Sequence, residues 1–194
     1  MQEPCKTASH TKAAPLTAYQ LAAAALITAL TCILGPMSVP IGPIPVSLTN
    51  LAALFGVTVL GLRLGAMSQL AYLLLGAAGL PVFSGYAGGL VKLVGPTGGY
   101  LVGFFVMTVV AGAFAARFEG RPLPSLAGMA LGIALDYVLG TAWFLFQMGC
   151  GLGYALLTCV APFVLWDAAK AVLAYVLGMA VRRRLARAGL LARI

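Results

Sequence analysis

The sequence predicts an all-α integral membrane protein, a single domain over residues 1–194 with six transmembrane helices. Three observations carry that expectation. The chain is 62% hydrophobic before its 24 glycines are counted, against about 45–50% with glycine included in soluble domains. Only 8% of its residues are charged, so a soluble fold of this size could not cover its surface. The apolar residues also fall in runs of membrane-crossing length, separated by short basic or glycine- and proline-rich stretches. These features exclude a soluble enzyme, a nucleic-acid-binding module and a disordered regulator. The net charge of +8 is no stripe on a soluble surface but is scattered between the runs and gathered at the C-terminus.

Taken in order, residues 1–13 form a polar tail that holds His10. The first apolar run, 16–35, is long enough to span, which argues against a cleaved signal peptide. Four prolines between Pro36 and Pro45 then forbid helix, so the chain leaves the helix or re-enters as extended backbone. Runs 48–62 and 64–80 are short and divided by Gly61 to Gly65 around Arg63, a pattern that favours two helices joined by a tight turn. Runs 100–118, 125–148 and 161–181 complete six, and residues 182–194 form a basic tail. With both termini cytoplasmic, Lys6, Lys12, Arg63, Arg117, Arg121, Arg182, Arg183, Arg184, Arg187 and Arg193 all lie inside. Lys92 is then the one basic residue in an outer loop. The outer connections 36–46, 81–99 and 149–162 are nearly uncharged and long enough to roof a pocket open to the outside.

Charges inside apolar runs are the candidates for chemistry. Asp167 and Lys170 are three apart, hence on one helix face, roughly 7 and 12 Å below the outer end. Each would cost at least ~2–3 kcal/mol against lipid, so both face the bundle interior. They can serve as a mutually neutralising pair or as a ligand site, Lys170 donating to a carboxylate and Asp167 accepting from N–H groups. Asp136, near mid-membrane, can be a counter-ion to Lys170, a protonated acid bonded to a neighbouring helix, or part of that site. The glycines of Phe83-Ser84-Gly85-Tyr86-Ala87-Gly88-Gly89 and Gly95-Pro96-Thr97-Gly98-Gly99-Tyr100 suit tight turns or close backbone approach to an anion, with Thr97 a candidate helix cap. Trp143, Tyr154, Trp166, Tyr86 and Tyr100 read as an interfacial belt, although Trp166, adjoining Asp167, can also stack on an apolar ligand ring. Cys5, Cys32, Cys150 and Cys159 read as small buried hydrophobes, with a Cys150–Cys159 disulfide as the alternative. Ala18, Ala22, Ala25 and Ala29 form a small-residue stripe on which another helix can pack closely.

The sequence resembles the BioY family, the biotin-specific S components of energy-coupling factor (ECF) transporters. The resemblance rests on Gly42-Pro43-Ile44-Pro45-Val46, Gly79-Leu80-Pro81-Val82-Phe83-Ser84-Gly85, Gly95-Pro96-Thr97-Gly98-Gly99-Tyr100, and Pro162-Phe163 followed by Asp167 and Lys170, in that order and spacing. It implies a six-helix subunit of the prokaryotic cytoplasmic membrane that binds biotin from outside. Its partners would be a coupling membrane protein and two ABC-type ATPases, and it would topple in the bilayer to release the vitamin. Whether the chain acts alone, as a homodimer or only with that module stays open. The implied ligand residues are Asp167 and Lys170, with the Phe83 to Gly89 loop, including Tyr86, Gly88 and Gly89, closing over the ligand. Asn50 and Asp136 match positions that are polar in some members. Ala87 stands where some members carry an amide, and Trp166 where a glycine is usual.

The residue chemistry agrees with that implication. Biotin has an apolar ring and chain, a ureido group and a carboxylate, which aromatics, an acidic side chain and a lysine can meet. No cofactor or metal is expected, nor catalysis, for want of a nucleophile beside a base or a ligand cluster. No ATP-binding motif is present, so energy must come from partners. The alternatives are an S component for another vitamin, a membrane enzyme using Asp136 and Asp167 as a carboxyl pair, and a proton channel through Asp136.

Overall fold

The computed structural model describes residues 16–40, 44–118 and 121–190. The expectations for the N-terminal tail with Cys5, Lys6, His10 and Lys12, for Gly42 and Pro43, and for Arg193 lie outside the described residues. Helix α1 (Ala18–Leu34) starts at Thr17, which accepts from the Gln20 N–H while the Gln20 side chain accepts from the Thr17 N–H, a closed capping box. The proline-rich stretch that follows is extended at Ser38–Pro40 and Pro45–Ser47. It forms an antiparallel hairpin, β1 (Ser38–Pro40) and β2 (Pro45–Ser47), with Val39 opposite Val46.

Helix α2 (Thr49–Ala77) spans both runs expected between residues 48 and 80 and is broken inside by Gly61, at φ 81° and ψ −177°. A straight helix of 29 residues would measure about 43 Å, well beyond the apolar thickness of a bilayer. Instead the chain doubles back: a Cβ placed on Gly65 would sit 2.8 Å from Val57 Cα, although eight residues of continuous helix would hold these positions about 12 Å apart. Only glycine adopts the Gly61 backbone without strain. The Thr58 carbonyl, in the last turn before the break, accepts from Arg182 Nη1 at 3.2 Å.

The remaining elements are α3 (Leu90–Val94), α4 (Gly98–Arg117), α5 (Pro122–Met148), α6 (Leu152–Cys159) and α7 (Val164–Arg187). Pro122 opens α5, where its missing N–H costs nothing, and Gly149 closes it in the left-handed conformation at φ 59°. Thr97 stands at the N-cap position of α4 but makes no capping bond, because its own backbone is helical (φ −94°, ψ −1°) and the oxygen cannot turn back. The arginines assigned to a C-terminal tail continue α7 as far as Arg187; arginine favours helix, and its stem can lie along apolar surface.

Antiparallel α4 and α5 form the most extensive helix pair, seated by glycines that face bulky groups: Gly99 meets Trp143, Gly132 meets Met107 and Gly140 meets Tyr100. The main core joins Leu54, Val57, Met107, Met129 and Ala174 from α2, α4, α5 and α7. At one end of the bundle, Leu16 and Leu185 pack on the same cluster of Val59, Leu60 and Leu64. The hairpin, α6 and the starts of α2, α4 and α7 lie at the other end. Among the described residues four helices, α2, α4, α5 and α7, are long and apolar enough to cross a membrane.

Candidate ligand-binding cavity

At the end that carries the hairpin, α2, α4, α5 and α7 converge beneath β2 on a cavity of about 550 Å³, its mouth included. Its apolar wall comes from Ile44, Pro45, Tyr100, Leu101, Phe104 and Phe163. Its polar floor comes from Ser47, Asn50, Asp136, Tyr137, Asp167 and Lys170.

Apart from Asp136, the polar floor is one network. Asp167 lies in the first turn of α7, where the helix dipole favours a negative charge, and Lys170 follows one turn later. Lys170 Nζ donates to Asp167 Oδ1 at 3.1 Å and to the Ser47 carbonyl of β2 at 2.8 Å. Asn50 occupies the first turn of α2; its Oδ1 accepts from the Leu51 N–H at 2.9 Å, which turns Nδ2 toward Asp167 Oδ1 at 2.6 Å. Tyr137 donates to Asp167 Oδ2 at 2.6 Å. Asp167 and Lys170 are only 6% and 8% exposed, so each charge depends on the other and on these bonds.

Counting donors and acceptors shows what is left for a ligand. An ammonium has three N–H groups, of which Lys170 uses two. A carboxylate has about four lone-pair positions, and Asp167 has three occupied. The Asp167–Lys170 pair can therefore accept one further N–H and donate one further charged hydrogen bond.

The expected site residues divide into two groups. Asp167, Lys170, Asn50 and Asp136 come together in the cavity. Phe83 is fully buried elsewhere, edge-on to Tyr72 at 5.6 Å between centroids and against Gly76, where any side chain would displace it. Tyr86 is exposed in the loop with φ 58°, Gly88 packs against the Leu80 carbonyl, and the Gly89 N–H donates to the Gly76 carbonyl at 2.7 Å. Their neighbour Ser84 is the residue of that loop that reaches the cavity. Trp166 is 59% exposed on the outside of α7. Ala18, Ala22, Ala25 and Ala29 are all exposed, whereas Ala24, Thr28 and Thr31 on the other face of α1 are buried. Cys150 and Cys159 pack in one cluster as free thiols, with no bond between them.

Sequence reasoning missed Tyr137, Ser47 and Phe163. Tyr137 had one signal, a tyrosine at mid-helix rather than at a membrane interface and next to a buried acid. Ser47 acts through its backbone, which no side-chain pattern reveals.

A helical membrane bundle holding one buried, partly unsatisfied polar network under an extended cover defines a solute-binding membrane protein of the transporter class. The family model described as BioY family matches residues 7–187, and the chain belongs to that family. It is 36% identical to the probable biotin transporter BioY of Pyrococcus horikoshii, over 84% of this chain and 95% of that protein. It is also 36% identical to the biotin transporter BioY2 of Lactococcus lactis subsp. cremoris, over 86% and 92%, and 35% identical to the biotin transporter BioY of Thermotoga maritima, over 84% and 96%. Among solved structures it resembles the S-component for biotin from an ECF-type ABC transporter, with a TM-score of 0.79, 29% identity, and coverage of 84% of this chain and 90% of that one. The chain is thus a multi-pass membrane protein of a transporter family, not an enzyme.

Proposed function

We propose that this chain is the biotin-binding S component of an ECF-type transporter, mediating biotin uptake powered by ATPase partners. The observation that carries the reading is the Asp167–Lys170 network: a compensated ion pair with one acceptor position and one charged donor unused, beneath an apolar wall. Lys170 binds the carboxylate of biotin, Asp167 and Asn50 hold the ureido end together with Asp136, and the thiophane ring and valeryl chain lie against the apolar wall. The loop from Phe83 to Gly89 and the β1–β2 hairpin form the cover, with Phe83 the anchor of its loop. Trp166, on the lipid side of α7, would have to turn inward to touch the ligand.

The chain would cross the membrane six times, through α1, the two limbs of α2, α4, α5 and α7, with both termini cytoplasmic. Support comes from the reversal at Gly61 and from the shared packing of Leu16 and Leu185. The exposed Ala18, Ala22, Ala25 and Ala29 face would receive the coupling membrane protein, itself driven by two ABC-type ATPases. The deciding experiment is titration calorimetry of the purified protein with biotin. Saturable one-site binding, weakened when biotin amide replaces biotin, is the expected result; absence of binding to ligand-free protein would reject the reading.

A further inference from the structure

Asp136 is not explained by the network around Asp167. It sits at the middle of α5, 3% exposed, and lines the same cavity. Its Oδ1 is buried without a hydrogen-bond partner and lies where a Cβ on Gly103 would fall, so a glycine on α4 makes the room for this carboxyl. The titratable groups that share the cavity are Tyr100 on α4, Tyr137 on α5, Cys159 on α6, and Asp167 and Lys170 on α7. Lys170, the cation among them, is held by Asp167 and Ser47. The tyrosine hydroxyls are engaged as well, Tyr137 on Asp167 and Tyr100 with Thr141 at 3.0 Å. A carboxylate at this depth without a cation or donor is strongly disfavoured, whereas a neutral acid is tolerated. The cavity thus holds two carboxyl groups in unlike surroundings, a difference that assigns them unlike roles.

We propose that Asp136 meets the ligand as a neutral carboxylic acid, donating its O–H to the ligand's urea-type carbonyl, while Asp167 meets it as a carboxylate accepting an N–H. This deepens, and rests on, the reading of the cavity as a biotin site. The two carboxyls supply what a cyclic urea demands, an acceptor for its N–H and a donor for its C=O. Asp167 cannot fill both roles, since an ionised carboxylate has no hydrogen to give. Lodging one Asp136 oxygen against Gly103 leaves the other for the ligand.

The test is a cycle of two ligands and two substitutions. The ligands are biotin and 2-thiobiotin, in which a poorly accepting C=S replaces the C=O. Asp136→Asn keeps a donor and should bind biotin within about threefold of the parent. Asp136→Leu should lose about ten- to a hundredfold for biotin yet bind 2-thiobiotin within about threefold of the parent. Equal losses for both ligands, or Asp136→Asn behaving like Asp136→Leu, would overturn the proposal. Should the Leu variant not fold, infrared difference spectra decide. Biotin should shift a carboxylic-acid C=O band that Asp136→Asn lacks, and absence of that band from the parent would overturn the assignment. A parent that binds neither ligand would reject the biotin reading, whereas a parent that binds biotin without discriminating 2-thiobiotin would reject only the role of Asp136.

Discussion

Replacing Lys170 by alanine removes a group with three donors, two of them held internally by Asp167 and the Ser47 carbonyl. On the proposed reading the third belongs to the ligand carboxylate. A hydrogen bond to a charged group contributes about 1.5–3 kcal/mol, so affinity for biotin should fall roughly ten- to a hundredfold. The substitution also strips Asp167 of its counter-charge. Breaking a buried pair costs about 3–5 kcal/mol when nothing compensates, but Asp167 keeps donors from Asn50 and Tyr137, so the stability loss should be smaller. Because a disturbed Asp167 would weaken any ligand, biotin amide is needed as the reference. It lacks the charge that Lys170 would meet, and its affinity should change much less than that of biotin. Titration calorimetry on parent and variant, with both ligands, gives four affinities. Equal losses for biotin and its amide would show that Lys170 serves Asp167 alone and refute the carboxylate assignment.

Three further outcomes are expected. Asp167→Asn keeps the shape but exchanges an acceptor for a group that also donates, so calorimetry should show biotin binding sharply weakened while the protein still folds; loss of thermal stability with affinity intact would make the residue purely structural. Tyr137→Phe deletes the donor to Asp167 Oδ2 and should lower stability by about 1–3 kcal/mol, read by thermal unfolding in detergent, and an unchanged midpoint would show that the hydroxyl does not hold Asp167. Ala22→Trp, on the exposed face of α1, should leave biotin binding by the isolated subunit intact and abolish ATP-dependent uptake by the full complex in vesicles, and normal uptake would reject that face as the coupling surface.

What the sequence disclosed follows from which forces are local. Charges within an apolar run are legible because lipid forbids them, so Asp167, Lys170 and Asp136 stood out, and the i, i+3 spacing alone joined the first two. Gly61 announced the reversal of α2 through the glycines on either side of Arg63. Four prolines excluded helix after Pro36, but pairing Val39 with Val46 depends on contacts that no local pattern encodes. Adjacency did not place Trp166 beside Asp167 in the cavity: neighbours on a helix point about 100° apart, so the residue next to an inward aspartate lies toward the outside. The packing of Phe83 was not legible in its glycine-rich context, for its pocket is made by Gly76 and Tyr72. Tyr137 reaches Asp167 from another helix, 30 residues away, and hydropathy is blind to that. Helices α3 and α6 are too short, at 5 and 8 residues, to register beside membrane-length runs.

The geometry also bears on how one site can hold a ligand firmly and still let it go. Because Asp167 and Lys170 neutralise each other and are further held by Asn50, Tyr137 and Ser47, the cavity carries no uncompensated charge from this pair. A ligand therefore adds bonds at unused positions instead of displacing existing ones, and its departure leaves the network closed. The Lys170 ammonium that would meet a carboxylate is also fastened to the backbone of β2, so the hairpin and the ligand share one anchoring atom. Moving the hairpin away would break the Ser47 bond and leave Lys170 with one fewer fixed partner, loosening the donor proposed for the ligand. On the proposed reading, the cover and the binding group are coupled through the 2.8 Å hydrogen bond from Lys170 to the Ser47 carbonyl. That bond joins α7, which runs to the opposite end of the bundle, to the strand above the cavity, so a shift of α7 relative to the hairpin would bear directly on the grip at Lys170.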